Sequence, residues 1–193
     1  MRLGVAHHLG WAVAVTASSD HVVLDRRRMA LVDPGLPAAP VHHVGGPHAL
    51  HRPAQIDDDE LASLVARVRA SAAQAASAAL DELVTGLATP IVSISLAAWP
   101  ADFPEDIAVQ RRVPYESRAD SVMYRRVLAE SARALGWAVL LYDAKTAEAD
   151  AARLLGARAR QILHGPRTAL GPPWSKDHRV ALAATVLAGS SDS

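Results

Sequence analysis

The chain has 193 residues, half of them hydrophobic and 21% charged, with Lys+Arg and Asp+Glu both at 20. That composition fits one folded domain and excludes disordered, collagen-like and coiled-coil chains, and the charge balance advertises neither nucleic acid nor a membrane surface as partner. There is no cysteine, which excludes disulfides, a thiol nucleophile, an iron–sulfur cluster and a thiolate zinc site.

The opening MRLGVAHHLGWAVAV lacks the charged-then-apolar order of a signal peptide, and no later run is long enough to span a membrane. A cytoplasmic protein is expected. The apolar runs Leu3–Ala6 and Trp11–Ala17, the turn signal Ser18-Ser19-Asp20 and the alternation from His21 to Val32 predict three antiparallel strands. Residues 34–56 are broken by Pro34, Pro37, Pro40, Gly45, Gly46, Pro47 and Pro53, and read as a long loop without regular structure. Residues 57–87 are helical. Asp57 and Glu60 fit a capping box, and Leu61, Leu64, Val68, Ala72, Ala75, Ala79 and Leu83 recur at three- and four-residue spacing. At 1.5 Å per residue that helix would reach roughly 45 Å, so a kink or break is expected.

Ile91–Leu96 reads as a strand, 97–117 as a second Pro-punctuated loop, Arg118–Leu135 as a helix ended by Gly136, and Trp137–Tyr142 as a strand. Ala144–Leu163 is helical, Gly165–Trp174 a third loop, and a last helix capped by Ser175 or Asp177 runs to Leu187. The expected order is β-β-β-α-β-α-β-α-α, a single domain over 1–188 with a flexible tail at 189–193. Right-handed crossovers would fold it into a mixed five-stranded α/β sheet with helices on both faces.

This order, with the opening Gly4-Val5-Ala6-His7-His8-Leu9-Gly10-Trp11-Ala12-Val13, the turn Asp143-Ala144-Lys145-Thr146 after a strand, and the small-residue helix from Lys176 to Ala184, resembles the ribonuclease H-like superfamily. That superfamily includes Holliday-junction resolvases and actin-like ATPase domains. The chain also looks similar to proteins of GC-rich actinobacteria. The resemblance implies two divalent cations held by carboxylates at the ends of strands one and four and on the last helix. Here Ala6 stands at the first place and Ser95-Leu96-Ala97-Ala98 offers no carboxylate at the second, so only Asp177 corresponds. The resemblance therefore implies a non-nucleolytic domain that binds nucleic acid or another phosphate-bearing ligand.

Strands one, three, four and five would end on one edge, where open α/β sheets bind ligands. Arg111, Arg112, Tyr115, Arg118 and Lys145 are the candidate ligand-binding residues there, since guanidinium and ammonium groups bind phosphate. Glu116, Asp143 and Asp177 are the catalytic candidates for an alternative, a hydrolase with relocated metal ligands. His7, His8, His42, His43, His48 and His51 form a second candidate set, for a divalent metal through imidazole. The plainer readings are a polar loop that contains histidines, and a 97–117 loop pinned by Arg–carboxylate pairs or used as a homodimer contact. Arg26, Arg27 and Arg28 alternate faces on a strand and make no single patch. Ser93 and Ser95 have no nucleophile elbow around them.

Overall fold

The computed structural model describes residues 1–45 and 56–190. Strands β1 (Arg2–His8), β2 (Trp11–Ala17) and β3 (Val23–Ala30) form the expected antiparallel meander. Strands β4 (Ser93–Ala97) and β5 (Ala138–Tyr142) extend it in parallel, β4 beside β1 and β5 beside β4. The result is a five-stranded mixed sheet in the order β3-β2-β1-β4-β5. Helix α1 (Asp58–Gly86) leads into β4, and α3 (Glu116–Ala134) carries the chain from β4 to β5. After β5 come α4 (Ala147–Leu155), α5 (Ala159–His164), a short α6 (Pro166–Leu170) and α7 (Lys176–Ser190); a one-turn α2 (Ile107–Gln110) lies ahead of α3.

The two-residue period of the strands divides the core. Leu3 and Val5, Ala12 and Ala14, and Ile94 and Leu96 pack with Val68, Ala72, Ala76 and Leu80 of α1 and with Tyr124 and Leu128 of α3. The opposite parity, Ala6, Val13, Val15 and Ala97, packs with Ala147 and Ala151 of α4, Leu163 of α5 and Ala181–Ala184 of α7. A one-residue slip would exchange the two faces, so the register is firmly set. Helix α7 crosses its face closely because the strands beneath it are small there. A Cβ on Gly4 would lie 1.8 Å from the Ala181 carbonyl oxygen. Ser93 and Ser95 are buried in the sheet.

Several sequence expectations are corrected by the structure. α1 is one unbroken helix of 29 residues, because no Pro or Gly interrupts it before Gly86; Asp57 caps it by accepting from the Glu60 amide at 2.8 Å. The loop expected over 34–56 contains a π-helical turn at Pro40–Gly45. Its stabiliser is distant in sequence: Asp120 Oδ1 accepts from the Val41 amide at 3.0 Å and Oδ2 from the His42 amide at 2.9 Å. The helix expected over 144–163 is split into α4, a 3-10 turn at Gly156–Arg158, and α5, and Gly156 at φ +55 makes the break. The loops expected over 97–117 and 165–174 contain α2, capped by Asp106, and α6, which has Pro166 in its first turn. α7 continues through Ser190, so residues 189 and 190 belong to the helix, and 191–193 lie outside the described residues. Among the described residues no helix is long and apolar enough to cross a membrane.

Candidate functional site

β1, β3, β4 and β5 run the same way, so their carboxyl ends share one edge of the sheet. α4 begins as the chain leaves β5, and the first turn of α7 reaches the end of β1 through Asp177. The positive ends of these two helix dipoles therefore lie along this edge.

His7 and His8, adjacent on β1, point to opposite faces. His7 Nε2 accepts from Arg125 Nε at 3.1 Å. Arg125 also donates to the Ala98 carbonyl and, at 3.1 Å, to Ser121 Oγ. One guanidinium thus ties the end of β1 to the end of β4. Burial first, then the Arg125 charge and His8, push the His7 pKa down to about 3. His7 is consequently a neutral acceptor, with a cation already beside it. On the other face His8 Nε2 lies 3.1 Å from Asp177 Oδ2, and its ring stacks on Trp11 at 4.1 Å between centroids. The Arg28 guanidinium sits 4.4 Å from the Trp11 ring centroid. Asp177, read from sequence as a cap or a catalytic carboxylate, lies inside the first turn of α7 and serves His8.

The catalytic candidates are not brought together. Glu116 is buried at the start of α3, 4% exposed. Asp143 is exposed, and its Oδ1 accepts from the Lys145 amide at 2.8 Å in the turn before α4. The histidine set is also dispersed: His42 and His43 lie on the π-helical turn, with ring centroids 5.2 Å apart, remote in the chain from His7 and His8. His48 and His51 lie outside the described residues. Among the described residues no group of three or more His, Asp and Glu side chains is placed to hold a metal ion.

The arginines of the 97–117 loop divide by task. Arg111 donates through Nε to the Gly45 carbonyl at 3.1 Å and through Nη2 to the Ile56 carbonyl at 3.1 Å, and it pairs with Asp58. Its guanidinium is thus engaged by Gly45, Ile56 and the first residue of α1. Arg126 pairs with Glu105. Arg112 and Arg118 are exposed, and neither has a carboxylate partner among the described residues. Tyr115 is 37% exposed and meets Phe103 edge-on at 5.7 Å, while Val113 beside it is 64% exposed.

Lys145 belongs to a different assembly, which sequence reasoning found only in part. It stands at the mouth of a cavity of about 730 Å³ between α4, α5 and α7. Ala144, Ala149, Ala152, Ala159, Leu163 and Val180 form the apolar lining, and Lys145, Glu148, Arg160, His164 and Lys176 the polar one. The chain has eighteen arginines and two lysines, Lys145 and Lys176. Both lysines line this cleft, Lys145 in the turn before α4 and Lys176 at the start of α7. Among the described residues neither ammonium has an ion-pair partner. The one carboxylate of the cleft is already engaged: Glu148 Oε1 accepts from Arg179 Nε at 2.8 Å and lies 3.7 Å from His164 Nε2. Lys176, Arg160 and His164 were missed because only the packing of α5 and α7 on α4 brings them beside Lys145. The scarcity of lysine was the available signal.

No protein-family model matches the chain, and no curated protein is similar to it in sequence.

Proposed function

We propose that the chain is a ribonuclease H-like domain that binds a phosphate-bearing ligand at the carboxyl edge of its sheet and does not cleave phosphodiesters. The observation that carries the reading is the meeting of Lys145 and Lys176, without ion-pair partners among the described residues, at the mouth of one cleft. Ammonium groups placed where helix N-termini gather are matched to phosphate oxygens. The sheet order β3-β2-β1-β4-β5 supports the superfamily reading. The non-nucleolytic part rests on the residues at the strand ends. Ala6 and Ser95–Ala98 supply no carboxylate, and the Arg125 cation bridges the tips of β1 and β4. A guanidinium there repels the divalent ions that two-metal cleavage needs.

Equilibrium titration of a labelled oligonucleotide and of pyrophosphate across a salt series tests this. Affinity falls as salt rises, because each phosphate contact releases counterions. The variant Lys145→Ala/Lys176→Ala weakens binding roughly 10-fold or more, as expected for charge-assisted hydrogen bonds. Binding that is absent, or indifferent to salt and to both lysines, rejects the reading. Divalent-dependent cleavage abolished by Asp143→Ala would instead establish the hydrolase with relocated ligands.

A further inference from the structure

The cleft says more about its ligand than that it carries phosphate. We propose that it takes a small phosphate monoester whose organic part carries a hydroxyl group: the phosphate lies between Lys145, Lys176 and Arg160, and the organic part lies on the apolar floor with its hydroxyl donated to Glu148. The inference rests on the reading above and narrows it from phosphate-bearing ligands in general to a small molecule.

Size is the first argument. About 730 Å³ lies within the roughly 300–1,000 Å³ of small-molecule sites, in an open cleft between three helices. Small side chains leave the room: Ala149 and Ala152 on α4 and Ala159 on α5 line the cleft with methyl groups alone. A nucleic-acid backbone would use the cations at the mouth and leave this apolar floor uncovered.

Charge is the second argument. Three cations, Lys145, Arg160 and Lys176, line the cleft against one carboxylate, and that carboxylate is neutralised by Arg179. A site with this surplus selects a dianion at its mouth, and a phosphate monoester carries close to two negative charges at neutral pH. A diester carries one.

The position of Glu148 is the third. An anion-binding cleft would be expected to avoid a carboxylate. This one is held by Arg179, and both of its contacts fall on Oε1. Oε2 remains as a hydrogen-bond acceptor in the lining, able to take a donor of the ligand in place of water. A hydroxyl on the organic part supplies it. Arg179 also keeps the carboxylate from repelling the phosphate outright.

Thermal shift and calorimetric titration with glycerol phosphate, a hexose phosphate and AMP test the proposal, with glycerol, the free hexose, adenosine, inorganic phosphate and an oligonucleotide as controls. At least one monoester raises the melting temperature more than inorganic phosphate does, and the parent alcohols leave it unmoved. Ala149→Phe fills the cleft from an exposed helix position without touching either lysine. It abolishes the monoester response, spares oligonucleotide binding, and leaves the ligand-free melting temperature and circular dichroism intact. Lys145→Ala/Lys176→Ala removes both responses. If Ala149→Phe leaves the monoester affinity unchanged, or only the oligonucleotide binds, the small-molecule inference is overturned while phosphate binding stands. If no probe binds, phosphate binding itself has failed.

Discussion

Between pH 6.5 and about 3, His7 stays neutral in the folded protein, whereas a histidine of the unfolded chain takes up a proton below 6.5. A base with a depressed folded pKa withdraws stability as the pH falls through its unfolded value. The loss is about 1.4 kcal/mol per pH unit below 6.5. Asp120 has the opposite sign: burial, against its bonds to the His42 and Val41 amides, raises it from 3.8 to about 6. Its contribution is therefore greatest below 3.8 and is lost as the pH climbs through 6. A variant that changes only His7 isolates the first effect. His7→Gln keeps an acceptor for Arg125 and drops the proton uptake. Urea unfolding should find the stability gap moving toward the variant by about 2 kcal/mol between pH 7 and pH 5. A gap constant with pH would mean that His7 titrates in the fold as it does in the unfolded chain. Residue by residue, the sequence was a poor guide to such roles. The divergence of His7 and His8 follows from strand geometry alone, but Arg111 gave no sign that Gly45 and Ile56 would occupy it, since its partners lie far away in the chain.

Elements are held here by close approach and by single polar ties. Gly4→Ala would put a methyl group 1.8 Å from the Ala181 carbonyl oxygen, backbone against backbone, where neither side can turn aside. Overpacking of this kind should cost about 3 kcal/mol as α7 lifts from β1, read as a drop in the urea midpoint without a change in slope. Arg26 is a second such point. Its guanidinium donates to the carbonyls of Leu170, Gly171, Pro172 and Pro173, fastening β3 to the chain just before α7. Arg26→Ala should cost about 2 kcal/mol, and Arg26→Lys should recover little of it, because an ammonium cannot present the same fork. Unchanged stability in Arg26→Ala would show that the loop holds itself. The strands and the long helices α1, α3 and α7 were readable because hydrophobic period and capping residues agree along each of them. The π-helical turn at Pro40–Gly45 and the break at Gly156 were not. The first depends on a carboxylate donated by α3, and the second interrupts a stretch whose local pattern is helical throughout.

Taken whole, the molecule carries no net charge at pH 7 and has a pI near 7.2. Repulsion between copies is least there, so solubility at low salt should pass through a minimum close to neutral pH and rise on either side. A solubility that changes in one direction only across that range would show that surface patches outweigh net charge. The sheet and its open edge could be anticipated at this scale, since β-β-β-α-β-α-β leaves few topologies. The cleft could not, because it is made where α4, α5 and α7 meet, and nothing in a linear pattern gives the distance between helices. The same arrangement governs how the protein is made. α7 packs over β1 and β2, and the apolar residues it covers, Ala6, Val13 and Val15, are made long before it. That face of the sheet therefore stays without its cover until α7 emerges. A ribosome stalled before Lys176 would display that face to the cell's chaperones and proteases, and completion of α7 would withdraw it.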